Sequence, residues 1–387
     1  MKITKYMDKI SADNLLFFFI AATFACFPLG TAAPLISIAC AFAVFLFSGK
    51  FLTCRVYKKR WFITALIFVT LPWIGLLYSK NLDLGIDYAL KTKYWIAVFL
   101  TAAIVFNRKN MKMIIIAFWA SLLASSVVAF FQYIEILPIP ESSFLGFGTV
   151  YTVLSMYLII GIMMASYYYR NCTRTVEKIM MILLMVAFFF HLAVLNGRNG
   201  YLVLFLVSPL IVHNLTSKLS ISIKLVTFLM LIGMLALSPV VQQRTKMTLD
   251  HLKRTDVIME GKFDPLFPRP FMFHQTFKMI AQSPIIGIGT GSLKYYTQET
   301  GHVVNHPHNS MLYMQVSFGI LGTLSFFWLF GTMFWISYKN KDTPSGFFAF
   351  SICMVIFLGG FFDTLIINAG TSLLLPMGYG ILNHLDA

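Results

Sequence analysis

The chain has 387 residues, 58% of them hydrophobic and only 12% charged, with a mean hydropathy of +0.77. A soluble domain carries about 25% charged residues, so this composition excludes a large soluble domain and reads as an all-α, polytopic integral membrane protein. The formal charge of +15 would suggest nucleic acid in a soluble protein. Here Lys and Arg flank apolar runs, where they orient helices, and no basic-aromatic module stands apart to bind nucleic acid.

Taken in order, twelve apolar spans are predicted, near 14–30, 33–49, 61–78, 94–106, 113–137, 150–169, 179–195, 201–216, 222–239, 309–338, 345–363 and 366–385. The first run is followed at once by others and lacks a small-residue cleavage site, so it reads as a retained helix, not a removed signal peptide. The fourth is short and extends back toward Lys91–Lys93. The seventh and eighth are split only by Asn196-Gly197-Arg198-Asn199-Gly200, a turn signal. The whole of 1–387 is one transmembrane domain, with a long, partly helical loop at 240–308 inserted between the ninth and tenth spans.

The connections alternate in charge. One set is basic: Lys2, Lys5 and Lys9, then Lys50, Arg55, Lys58, Lys59 and Arg60, then Arg108, Lys109 and Lys112, then Arg170, Arg174 and Lys178, then Lys218 and Lys224, then Lys339 and Lys341. The other short set is sparser, with three basic residues at 79–93 (Lys80, Lys91 and Lys93), none at 138–149 and only Arg198 at 196–200. The positive-inside rule then places both termini in the cytoplasm. Arg198, Arg269, His308 and Asp363 all fall on the opposite side, at or near helix ends.

Within the long loop, residues 270–282 open with Pro270, stop before Pro284 and carry Phe273, Phe277 and Ile280 at helical spacing, which suits an interfacial helix. Residues 241–257 are polar and read as a solvated helix, with Arg244, Lys246, Asp250, Lys253 and Arg254. The patch Ser283-Pro284-Ile285-Ile286-Gly287-Ile288-Gly289-Thr290-Gly291 lacks the GxxxxGK[ST] phosphate loop and reads as a turn. Cys26, Cys40, Cys54, Cys172 and Cys353 show no CxxC spacing and none lies in this loop, which argues against a disulfide framework.

Several residues carry candidate chemistry. Arg198 reads either as a snorkelling anchor or as an anion ligand approached past Gly197 and Gly200. His191, two helical turns earlier, reads as a packing residue. Arg269 precedes a Pro-initiated helix, so a bidentate fork stands beside a helix N-terminus, a combination that favours phosphate; the bland reading is an exposed loop Arg. His308 is followed by Asn309 at the mouth of a membrane helix, and a histidine is the side chain suited to taking a proton from a hydroxyl nucleophile; the bland reading is a capping or interfacial histidine. Gly319, three turns on, would permit close helix approach. Asp363 at the end of the eleventh span reads as an orienting carboxylate or a helix-end charge, and Glu141 and Asp83 are weaker versions of the same. His302, His306 and His308 with Glu299 do not form a zinc signature, so no metal is expected.

These residues resemble the membrane-bound O-antigen ligases, whose relatives are the O-antigen polymerases and the bacterial O-linked oligosaccharyltransferases. His308-Asn309, nine residues and Gly319 match the family's H[NSQ]-x9-G signature. Arg269 lies fifteen residues before Pro284, as does the family Arg ahead of its Pro-x-x-Gly turn, and Arg198 takes the place of its short-turn Arg. The Asn-Gly-rich turn at 196–200 departs from the family's usual Ser/Thr-rich one. The resemblance implies transfer of a polysaccharide from undecaprenyl pyrophosphate to a sugar hydroxyl of lipid A–core, on the periplasmic side of the inner membrane, without metal, nucleotide or other cofactor. In the residue chemistry, Arg198 and Arg269 would hold the pyrophosphate, His308 would act as base, and Asn309 and Asp363 would support it. An O-antigen polymerase would use the same donor, and a protein O-glycosylating enzyme is a further relative. A lipid-linked oligosaccharide flippase or transporter is the reading from another class, but it would place ionisable residues near the bilayer midplane.

Overall fold

In lipid every backbone N–H and C=O must find a partner within its own segment, so the apolar runs become helices. The computed structural model describes residues 11–139, 145–217, 219–253, 260, 262–265, 268–298 and 300–385, and no strand occurs among them. Lys2, Lys5, Lys9, Glu141, Lys218, Arg254 and Glu299 lie outside the described residues.

Helix α1 (Ala12–Cys26) starts where Ser11 Oγ accepts the Asn14 N–H at 3.3 Å. It is followed by α2 (Ala32–Phe47) and α3 (Arg60–Ile74), which runs on into a 3₁₀ turn at Gly75–Tyr78. Asn81 caps α4 (Leu82–Leu90), with Asp83 in its first turn, and a 3₁₀ stretch leads to the short α5 (Ala97–Ala102). Then come α6 (Arg108–Tyr133), α7 (Tyr151–Asn171), α8 (Thr175–Val194), α9 (Arg198–Leu215) and α10 (Ile221–Ala236). The long loop holds α11 (Pro239–Leu252), α12 (Arg269–Gln282) and α13 (Leu293–Gln298). The chain closes with α14 (Ser310–Lys339), α15 (Pro344–Gly360) and α16 (Ala369–Ile381).

Among the described residues six helices are long and apolar enough to cross a membrane, and up to eight if each bent pair is one span. The six are α1 and α3 with their following turns, α6, α7, α8 and α14. Some of the predicted spans correspond to shorter helices: six residues in α5, seventeen in α15 and thirteen in α16.

Helix α7 is the centre of the bundle. In its most apolar window 89% of the residues are buried, against 28% in α8, and it packs against α8, α9 and α15. Lipid tails are as apolar as leucine, so such packing rests on close fit and polar pairs more than on the hydrophobic effect. Asn214 Nδ2 donates to Ser166 Oγ at 3.1 Å between α9 and α7, a pair worth about 0.6 kcal/mol.

Helix α14 is broken at Gly319, whose φ of 61° and ψ of −151° are not helical. A Cβ there would overlap the Ile285 carbonyl. The break exposes backbone groups, and the 283–291 segment pairs with them. Ile288 N–H donates to Val316 O at 2.8 Å, Gly289 N–H to Ser317 O at 3.0 Å, and Ile320 N–H to Pro284 O at 3.0 Å. At Gly289 (φ 89°) a Cβ would stand 2.8 Å from Gly75 O, so this residue admits the end of α3. Thr290 ties down that same end, its N–H donating to Gly75 O at 3.2 Å and its Oγ1 to Pro72 O at 2.7 Å. The glycine patch is the turn expected, and its backbone is packed and hydrogen-bonded between α14 and the end of α3.

The helix expected over 270–282 is present as α12. Its buried side is Phe271, Gln275, Thr276 and Met279, while Phe277 is exposed. Phe271 and Met279 join Ile288, Leu293, Val304 and Val316 in a second small core under the loop, and Ile280 packs against it.

Candidate active site

His308 precedes α14 with a left-handed φ of 50°, a conformation costing on the order of 1–3 kcal/mol for a non-glycine residue. Its neighbours hold it there. Asn309 caps α14 by accepting the Leu312 N–H at 2.9 Å, and its Nδ2 donates to Phe361 O at 2.9 Å. Ser310 Oγ donates to Asp363 O at 3.1 Å. These bonds tie the mouth of α14 to the segment after α15, and so bring Asp363 to His308.

Asp363 Oδ1 lies 3.0 Å from His308 Nδ1 and also accepts the Thr364 N–H at 2.8 Å. Burial opposes the charged form of Asp363, but the His308 contact and the Thr364 N–H outweigh it and hold its carboxyl below the ordinary range. An ionised Asp363 accepts from Nδ1–H and leaves His308 Nε2 with its lone pair. The His308 side chain remains about one-third exposed, so that nitrogen can be reached.

The His306 ring lies 4.4 Å from that of His308, tilted by 59°, and its Nδ1 lies 3.2 Å from Thr364 Oγ1. Burial, then the charges of His308 and Lys91, lower its pKa to about 4, although Asp363 acts the other way. His302 goes elsewhere: it stacks on Phe263 at 3.6 Å, separating it from the other two. Among the described residues no group of three or more His, Cys, Asp or Glu is placed to hold a metal ion.

Arg198 is the first residue of α9, half-buried, with Nη1 donating to Thr248 Oγ1 at 2.8 Å. Burial, then the charges of Arg269 and Arg244, lower its pKa. The positive charges of Arg269 and Arg244 are thus both felt at Arg198, which favours an anion there. The glycines around Arg198 do not open a path to it. Gly197 lies against the Tyr151 ring, and Gly200 against Ser155 and Leu192, so they serve helix packing. His191 is fully buried, with Nδ1 3.1 Å from Ser126 Oγ, as a packing residue would be.

No hydrogen bond or ion pair among the described residues joins the arginine cluster to the histidine cluster. Two elements span them. The start of α7 packs its Tyr151 and Ser155 on the Arg198 turn, and its Val153, Met156 and Tyr157 on Gly359 and Gly370, which flank Asp363. Helix α12, opened by Arg269, packs on α14, which opens just after His308. Both clusters therefore lie at one end of the bundle.

The sequence placed Arg244 only in a solvated helix, although it sits one turn before Thr248 on α11, where helical spacing aligns the two. It also missed Thr364 and the neutral partner role of His306, which depend on a contact across more than fifty residues.

A family model described as O-antigen ligase matches residues 181–327. The matched stretch contains Arg198, Arg269, His308 and Gly319 and ends before Asp363. No curated protein matches the chain.

Proposed function

From a chain that is an O-antigen ligase family member over residues 181–327, we propose an inverting, metal-independent glycosyl transfer from undecaprenyl pyrophosphate-linked polysaccharide to a sugar hydroxyl of lipid A–core. The observation that carries this reading is the His308–Asp363 pair at the mouth of α14. In the proposed step His308 Nε2 takes the proton of the acceptor hydroxyl as its oxygen attacks the anomeric carbon. The bond from that carbon to the pyrophosphate oxygen breaks in line. The pyrophosphate leaves with the electron pair, and Arg198 and Arg269, with Arg244, stabilise the charge that develops. Asp363 fixes the tautomer and supports the imidazolium. Asn309 holds the base in register by its two bonds.

The protein would cross the bacterial inner membrane twelve times, with both termini in the cytoplasm and the 240–308 loop and the site facing the periplasm. The basic connections support that orientation.

A lipopolysaccharide gel of a deletion strain tests the assignment. Core without polymer, with lipid-linked polymer accumulating on the outer leaflet of the inner membrane, is the expected result. A single-repeat cap on the core would assign a polymerase instead. Lipid-linked material held on the cytoplasmic leaflet would assign transport and overturn the proposal.

A further inference from the structure

The helices that carry the two clusters have another end. Helices α7, α9 and α14 each begin beside the candidate site, and α15 ends beside it. At their far ends they enclose a cavity of about 270 Å³. Its deep wall is apolar and aromatic, with Leu210, Phe347 and Phe350. Its rim is cationic, with Arg170, His213 and Lys341. Arg170, on α7, and Lys341, just after α14, bring two cations from different elements to the same rim.

The lining contains one carboxylate, Asp342, whose side chain is exposed. Its backbone carbonyl accepts the Tyr167 hydroxyl at 2.7 Å, which fixes Tyr167 against Phe347 with ring centroids 4.6 Å apart. Lys341 Nζ stands 3.6 Å from the Tyr338 ring. The walls are thus held in place, and Arg170 forms no ion pair within the described residues.

We propose that this cavity binds the phosphate headgroup of an anionic phospholipid, with the rim cations on the phosphate and an acyl chain against the aromatic wall. A cationic rim over an apolar floor, at the level where helices end, matches both halves of such a lipid. A soluble phosphate would use the rim alone and leave the floor uncovered. The inference depends on the chain being embedded in a membrane and is independent of the glycosyl-transfer reading.

Native mass spectrometry of the delipidated full chain, given phosphatidylglycerol, phosphatidylcholine or inorganic phosphate, tests it. The wild type should retain phosphatidylglycerol over phosphatidylcholine, and R170Q/K341Q should retain about thirtyfold less of it, since each of the two surface cations contributes about 1 kcal/mol. The charge-matched control K58Q/K109Q, changed at exposed residues outside the cavity, should behave as wild type. Equal retention by wild type and R170Q/K341Q would overturn the proposal, as would equal retention of the two lipids. Displacement of the lipid by millimolar phosphate would assign a soluble anion and overturn the lipid. Should R170Q/K341Q fail to accumulate, the wild-type comparison of the two lipids decides alone.

Discussion

At His308 two demands meet. A base needs a free lone pair aimed at its substrate, and a carboxylate on the other ring nitrogen supplies that. The 3.0 Å contact with Asp363 is worth having only if Asp363 stays ionised, and its lowered pKa keeps it so down through the ordinary carboxylate range. His308→Ala should therefore lower transfer of polymer onto lipid A–core by about 10²–10⁴-fold, with Asp363→Asn falling between that and wild type; near-normal transfer in His308→Ala would remove the base. Arg269→Lys keeps the charge and loses the fork, and should cost at least about tenfold, the value of one charge-assisted hydrogen bond. Unchanged transfer would make Arg269 a bystander. His306 bears on stability. Its pKa is about 4 in the folded chain against about 6.5 unfolded, so between these values only the unfolded chain takes the proton. Stability should fall as pH drops from about 6.5 toward about 4, and His306→Gln should flatten that slope in thermal unfolding of the detergent-solubilised protein. A slope unchanged by the substitution would mean that another group titrates.

The decisive element is the broken helix α14. Residues around Gly319 are apolar and read in sequence as one continuous span, because hydropathy does not record φ. What marks the break is the glycine patch thirty residues upstream, whose N–H groups are spent on Val316 and Ser317. Gly319→Ala would force a side chain into a left-handed conformation and into the Ile285 carbonyl, at a cost of about 1–3 kcal/mol from strain alone. Gly331, in the same helix with open space around it, is the control, where alanine should be neutral or stabilising by about 0.5–1 kcal/mol. Thermal unfolding of the two variants separates these outcomes, and equal melting temperatures would show that the break does not hold the loop. In α12 the second core takes Phe271 and Met279, with Ile280 packed against it, while Phe277 stays exposed.

For the whole molecule the question is which end faces which compartment. The α7 and α12 bridges put the Arg198 turn and the His308 loop at one end, and the 339–341 turn lies at the other. In a cysteine-free background, Asn196→Cys and Asn305→Cys should react with a membrane-impermeant thiol reagent from outside spheroplasts, and Asp342→Cys only after permeabilisation. Labelling of all three from one side would sink the twelve-span orientation proposed here. Apolar run length and the placement of Lys and Arg sufficed by themselves for the all-α membrane class, because burying an unpaired backbone in lipid leaves a chain so few choices. The same linear record named His308, Arg198, Arg269 and Asp363 without saying which of them touch. Only the tertiary structure paired His308 with Asp363 and Arg198 with Thr248, since those contacts join residues about fifty positions apart and depend on how helices pack, which no local pattern encodes.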